Sequence, residues 1–281
     1  MSTVQEQAPK RISQYQLRRE QIQKQYDDLV SDAVNSKQWR MLSGLILLLT
    51  ISHVTFLFNP IVGLYVTVLS FVLLANLALF SEAYRRVTIA ITILPVATIV
   101  TAALPQSNRY ALIAINYLAI LLLSLGFWFM LRKNGFYRQT RMTSSHAVPL
   151  KYIILLGILL GVFGFAVLLS QPLGITSLNP VIVILGCIGF AFTEEFLFRG
   201  LIQRQVTQIS SANTAIIITT LLFTLFAASQ SNPLNILVAG VSSLVLSVIY
   251  SLKSNIFTTF AINAMMKLTF VSLIALFAAR S

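Results

Sequence analysis

Two adjacent glutamates and an arginine stand where an apolar chain has no ordinary use for them. The stretch Phe192-Thr193-Glu194-Glu195-Phe196-Leu197-Phe198-Arg199-Gly200 interrupts a long apolar run. A charge at the centre of a bilayer costs about 2.5–3.5 kcal/mol on insertion scales, so charged residues persist there only with partners or work to do. Glu195 and Arg199 are four apart, share one helix face and have the favourable acid-first order. They can form an ion pair that lowers the burial cost of both. Glu194 projects about 100° away around the helix and is not neutralised by that pair. It needs another partner, a water or a proton. Two readings follow. The trio is an ion-pair network that fixes helix packing, or Glu194 is a carboxylate in a wet cavity, available for proton transfer.

Three more polar residues fit the same picture. Gln230 ends a later apolar run, in Phe226-Ala227-Ala228-Ser229-Gln230. Asn263 and Lys267 lie four apart on the last run, in Asn263-Ala264-Met265-Met266-Lys267. Glu194 and Gln230 are equidistant in sequence from a turn near Ala212, so an antiparallel hairpin brings them to similar depth. Taken singly, an amide within a span is more often a bond between helices than a catalytic group. Lys267 is either a counter-ion for Glu194 or a side chain that snorkels to the interface. Glu194, Glu195, Arg199, Gln230 and Asn263 are the candidate site residues.

The elements that must hold these residues are membrane helices. Of 281 residues, 57% are hydrophobic and 10% charged, against about 25% charged in ordinary soluble domains. The fold expected is all-α, a polytopic bundle of about nine transmembrane helices in the cell membrane. Apolar runs lie near Met41–Phe58, Ile61–Phe80, Val87–Leu104, Tyr110–Leu131, Tyr152–Ser170, Val181–Gln203, Thr214–Gln230, Leu234–Tyr250 and Ile256–Ala279. A helix needs about 20 such residues to cross the hydrocarbon, and unpaired backbone groups are too costly there for irregular chain. Turn residues divide the runs at Asn59-Pro60, Pro105, Asn179-Pro180 and Asn232-Pro233. Three regions result: a basic cytoplasmic tail at 1–40, a four-helix membrane region at 41–149 and a membrane core at 150–281. In the tail Tyr15, Ile22, Tyr26, Leu29 and Ala33 recur at roughly heptad spacing, as in a helix near the headgroups or a partner-binding coiled coil.

Charge gives the orientation. One set of loops, with the tail, holds Lys10, Arg11, Arg18, Arg19, Lys24, Lys37, Arg40, Arg85, Arg86, Arg132, Lys133, Arg138, Arg141, Lys151, Arg199, Arg204 and Lys253. The opposite set holds Arg109 and Arg280, and Lys267 lies inside a span. A split of seventeen against two places the N-terminus in the cytoplasm. The net charge of +12 therefore serves the anionic lipid bilayer, and no nucleic-acid partner is expected.

Glu-Glu-x-x-x-Arg-Gly at 194–200, Phe-x-x-x-Gln at 226–230 and Asn-x-x-x-Lys at 263–267 resemble the CPBP (ABI) family. That family includes the CAAX prenyl endopeptidases and bacterial bacteriocin-immunity proteins. The resemblance covers about residues 150–280. It implies a scaffold in which Glu194 matches the catalytic glutamate, Glu195 and Arg199 its companions and Phe226 the motif aromatic. In active relatives the second motif is Phe-x-x-x-His and the third His-x-x-x-Asn. Here Gln230 and Asn263 stand where the histidines belong, and Lys267 where the Asn belongs. Zinc is known as a question for the family, but amides are poor zinc ligands and a positive Lys267 repels a cation. No cofactor is expected. His53, in the first span, reads as a packing residue, His146 as a solvated loop residue, and the lone Cys187 as too far along its helix to share an ion with Glu194.

The resemblance implies peptide-bond hydrolysis at a cytoplasm-facing membrane cavity, reduced or lost through the missing histidines. The other reading is a non-catalytic regulator or bacteriocin self-immunity protein that binds a membrane protein, a lipidated peptide or a bacteriocin. Transport is the third, although the chain lacks the paired broken helices that mark carriers.

Overall fold

The computed structural model describes residues 37–81, 84–103, 109–133, 148–168, 180–230 and 234–278, with Gln21, Gln25 and Asp28. The heptad-like tail positions Tyr15, Ile22, Tyr26, Leu29 and Ala33, the loop residue His146, and Pro105, Asn179, Asn232 and Pro233 lie outside the described residues.

From Lys37 onward the described residues form nine helical rods and no strand. They are α1 (Lys37–Phe58), α2 (Pro60–Phe80), α3 (Arg85–Ala102), α4 (Arg109–Lys133), α5 (Leu150–Leu168), α6 (Pro180–Ile209), α7 (Ala212–Gln230), α8 (Leu234–Lys253) and α9 (Ile256–Ala278). Each coincides with one apolar run of the sequence. Several outrun it, α1 beginning at Lys37 and α6 ending at Ile209, because helical hydrogen bonding continues past the apolar residues. Six of the nine (α2, α4, α5, α6, α8 and α9) are long and apolar enough to cross a membrane, and α1 and α7 carry shorter apolar stretches. Large apolar side chains point outward, with Leu47, Tyr65, Leu185 and Ile217 each 60% exposed or more. Such a surface is suited to hydrocarbon and a liability in water. The chain is a multi-pass membrane protein.

Local chemistry sets the turns. Asn59 caps α2 by accepting from the Ile61 and Val62 N–H groups at 3.2 Å each. Pro60 then supplies a first helical residue that has no N–H to leave unpaired. Between α8 and α9, Ser254 takes a left-handed φ of 51°, and the Asn255 Oδ1 accepts from the Phe257 N–H at 2.9 Å.

Packing fixes what surrounds the polar residues. Leu42 and Leu49 of α1, Leu74 of α2, Ile91 and Leu94 of α3 and Ile120 of α4 share one buried cluster with Phe198 and Leu201 of α6 and Leu222 of α7. The packing therefore runs across residue 149 without a seam. On the other flank α5 lies against α9 at very close range. A Cβ on Gly157 would meet the Met265 Cβ at 2.5 Å, and one on Gly161 would meet the Thr269 Cβ at 2.7 Å. Small residues at this spacing let two membrane helices touch backbone to backbone. The equal offset of the two contacts shows that α5 and α9 run parallel.

Within α6, Phe196–Gln203 forms a π-helical segment. Residues Leu197 through Gln203 are all buried. Its i→i+5 bonds widen the helix where it is surrounded by α3, α4, α7, α8 and α9, and such segments often mark functional sites. Arg199, counted above with the basic loops, lies here with no exposed surface. It belongs to the core, and the charge split loses one member without changing sign.

Candidate functional site: a polar centre inside the bundle

Glu194 and Glu195 sit where the α-helical part of α6 meets the π segment. Glu195 and Arg199 form the ion pair expected from their spacing, Arg199 Nη1 donating to the Glu195 Oε1 at 3.1 Å, both side chains fully buried. Arg199 Nη2 also donates to the backbone carbonyl of Ser243 at 3.0 Å and to its Oγ at 2.8 Å. The guanidinium lies 5.0 Å from the centre of the Phe223 ring. One turn on, Gln203 Nε2 donates to the Ser247 carbonyl at 2.8 Å. These two ties join α6 to α8. Breaking a buried pair by removing one partner costs about 3–5 kcal/mol, because the other charge is left uncompensated.

Glu194, 3% exposed, has its own partners. The Tyr117 hydroxyl of α4 donates to the Glu194 Oε1 at 2.6 Å. Lys267 Nζ of α9 donates to the same oxygen at 2.9 Å. Asn263 Nδ2 donates to the Glu194 Oε2 at 3.0 Å and to the Glu195 Oε1 at 2.9 Å. One amide thus joins both carboxylates, and of the two roles open to Lys267 the structure shows the counter-ion.

Beside this centre lies a cavity of about 290 Å³. Glu194, Lys267, Tyr117 and Ser242 line its polar part. Its apolar walls come from Ile113 of α4, Leu160, Gly161 and Gly164 of α5, Phe190 of α6, Phe223 and Ala227 of α7, Val238 and Ala239 of α8, and Met266 and Phe270 of α9. The Ser242 Oγ and the Asn263 Oδ1 are buried and have no hydrogen-bond partner among the described residues.

The structure brings four of the five candidate residues, Glu194, Glu195, Arg199 and Asn263, into one bonded group. Gln230 ends α7, and its side chain lies outside the described residues. His53 is buried with Nδ1 2.8 Å from the Leu49 carbonyl one turn back, as a packing residue would be. Sequence reasoning missed Tyr117, Ser242 and Ser243. Tyr117 had a signal: a buried phenol seeks a hydrogen-bond partner. Its ring packs on Phe190 and Phe226, centroids 4.2 Å and 5.8 Å away.

Residues 175–269 match the family model described as Rce1-like, type II CAAX prenyl endopeptidase. Over this segment, about a third of the chain, the sequence is similar to the type II CAAX prenyl endopeptidases of the CPBP family. Neither a curated protein nor a solved structure matches the chain. The matched segment carries Glu194, Glu195, Arg199, Gln230, Asn263 and Lys267, whereas Tyr117 comes from outside it. A zinc ion, a question for any CPBP protein, does not fit these residues. Among the described residues Glu194 is the one carboxylate lining the cavity and its Oε1 already holds an ammonium; Glu195, joined to it through Asn263, is paired to Arg199, and no three His, Cys, Asp or Glu side chains gather there. Zinc sites take three or four imidazole, thiolate or carboxylate ligands.

Proposed function

We propose that this CAAX-protease-like membrane protein receives a peptide segment in the hollow beside Glu194, and acts first as a binder. One observation carries the reading. The Glu194 carboxylate and Lys267 ammonium stand 2.9 Å apart at the polar end of an apolar-walled cavity. With Glu195 paired to Arg199, the two acids and two bases cancel, and the hollow has no net charge to attract an ion. A neutral peptide unit has one N–H and one C=O, and both need partners in a lipid-shielded place. A carboxylate beside an ammonium offers an acceptor and a donor together. The apolar walls suit the flanking side chains. In this reading the basic loops and the N-terminus lie in the cytoplasm, and the bound peptide belongs to a membrane protein, a lipidated chain or a bacteriocin.

Hydrolysis is the second reading, favoured by Asn263 being the one described donor to the Glu194 Oε2. A water bound at that oxygen would give a proton to Glu194 as its oxygen attacks the carbonyl carbon. Lys267 and Asn263 would donate to the oxyanion, and the proton would pass to the leaving amine as the C–N bond breaks. The three bonds Glu194 already accepts leave it little freedom for that work, so binding stands first.

The test uses full-length protein in detergent, a photoreactive apolar peptide and a fluorogenic peptide library, beside Glu194→Gln. Saturable photolabelling that is lost in the variant, with little turnover, is expected. Labelling that survives in well-folded Glu194→Gln would sink the binding reading. Turnover that the variant abolishes would move the assignment to a peptidase.

A further inference from the structure

The hollow lies to one side of the bundle's middle. Tyr117 is in the first half of α4, Gly164 in the last half of α5, Phe190 in the first half of α6, Ala227 in the last half of α7, Val238 in the first half of α8 and Phe270 in the last half of α9. Helix directions alternate. The paired bonds from Arg199 to Ser243 and from Gln203 to Ser247 show α6 and α8 parallel. The bonds from Lys267 to Glu194 and from Asn263 to Glu195, with Ile256 against Gly200, show α9 antiparallel to α6. All six half-helices therefore sit on one side, with the ends at Arg109, Leu168, Pro180, Gln230, Leu234 and Ala278.

The other side carries the basic residues at helix ends: Arg85 and Arg86 of α3, Arg132 of α4, Lys151 of α5, Arg204 near the end of α6 and Lys253 of α8. Between that side and Glu194 the packing is closed. Leu197, Phe198, Leu201 and Ile202 have no exposed surface, a Cβ on Gly200 would lie 2.9 Å from Ile256, and the ties from Arg199 and Gln203 bind α6 to α8. Interiors packed at this density hold no path for a peptide. The excess of Lys and Arg assigns the closed side to the cytoplasm.

We propose that the hollow takes its ligand from the non-cytoplasmic side of the membrane. Its partner is then an apolar peptide, or a segment of a membrane protein, presented outside the cytoplasm rather than a cytosolic lipidated tail. The inference rests on reading the hollow as a peptide site, and it reverses the cytoplasm-facing cavity expected from the sequence. The reversal has a plain cause: Glu194 near the middle of α6 is compatible with a cavity on either side, and the lining residues of the other five helices decide between them.

Side-specific labelling tests it. In a Cys187→Ser background, Ser242→Cys and Val238→Cys report on the hollow, and Ala212→Cys on the basic side. Each is treated with a membrane-impermeant maleimide in sealed right-side-out and inverted vesicles of the expressing cells. The hollow cysteines are expected to label in right-side-out vesicles and to lose that labelling in inverted ones, with Ala212→Cys the reverse. Labelling of the hollow from the inverted face, from both faces, or from neither would overturn the proposal. Peptide capture in detergent has no sides, so its failure would sink the binding reading, while labelling from the wrong face would sink the direction of access alone.

Discussion

Lys267 and Glu194 form the least symmetrical contact of the polar centre. The lysine side chain is 23% exposed and the glutamate 4%, so the pair lies between an exposed ion pair and a sealed one. Lys267→Met is expected to cost about 2 kcal/mol, between the fraction of a kcal/mol typical of surface pairs and the several of buried ones. The double variant Glu194→Gln with Lys267→Met should recover most of that loss, since no charge is left alone. Thermal unfolding of the three proteins in one detergent measures it, and a double variant no better than the single would show that the pair is not coupled. Arg199 makes a different demand. Its fork holds Glu195 and two atoms of Ser243 while its face lies on Phe223, and a lysine cannot do all of this. Arg199→Lys should therefore lose about 2–3 kcal/mol despite keeping its charge, read as a lower unfolding midpoint beside a wild-type control. The Glu195–Arg199 pair was legible in the sequence because it is local to one helix. The bond from Tyr117 was not, because an apolar run gives no hint of which distant helix it faces.

Helices place these side chains, and the α5–α9 contact places Lys267. Gly161 has no room for a side chain, since its Cβ would meet the Thr269 Cβ at 2.7 Å and the Met266 carbonyl at 2.8 Å. Gly161→Ala should push α9 away and cost about 1–3 kcal/mol, the usual price of overpacking, and should weaken peptide capture by shifting Met266 and Lys267. Gly126 and Gly189, which have nothing within 4 Å of an added Cβ, are the controls. Alanine there should leave both stability and capture unchanged, so equal effects at all three sites would exclude the packing account. Run length and turn residues made the nine helices readable, and six of them have the length and the hydropathy that a bilayer imposes. The π segment of α6 was not readable. Its residues are compatible with an ordinary helix, and the wider turn appears where several neighbours bury every face of it at once.

At the scale of the molecule, the family match begins at residue 175, yet the site does not close without the helices before it. Ile113 and Tyr117 of α4 line the cavity, Tyr117 bonds to Glu194, and α1 to α4 share a buried cluster with α6 and α7. The sequence division at 149 follows where the motifs stop, which says nothing of where the packing stops. Residues 150–281 produced alone would expose Leu197, Phe198 and Leu201 to lipid and leave the Glu194 Oε1 without its phenol. Membrane helices lacking their partners are poorly held, because lipid tails are as apolar as the leucines they replace and supply none of the interhelical bonds. The fragment 150–281 is therefore expected to be degraded or to fail in peptide capture. Co-expression with 1–149 as a separate chain should restore capture, and 1–149 carrying Tyr117→Phe should restore the assembly with weaker capture. The readouts are co-purification of the two fragments and photolabelling of the hollow. Full capture by 150–281 alone would show that the first four helices serve another purpose. Assembly without any loss from Tyr117→Phe would show that they build the wall of the site and not its chemistry.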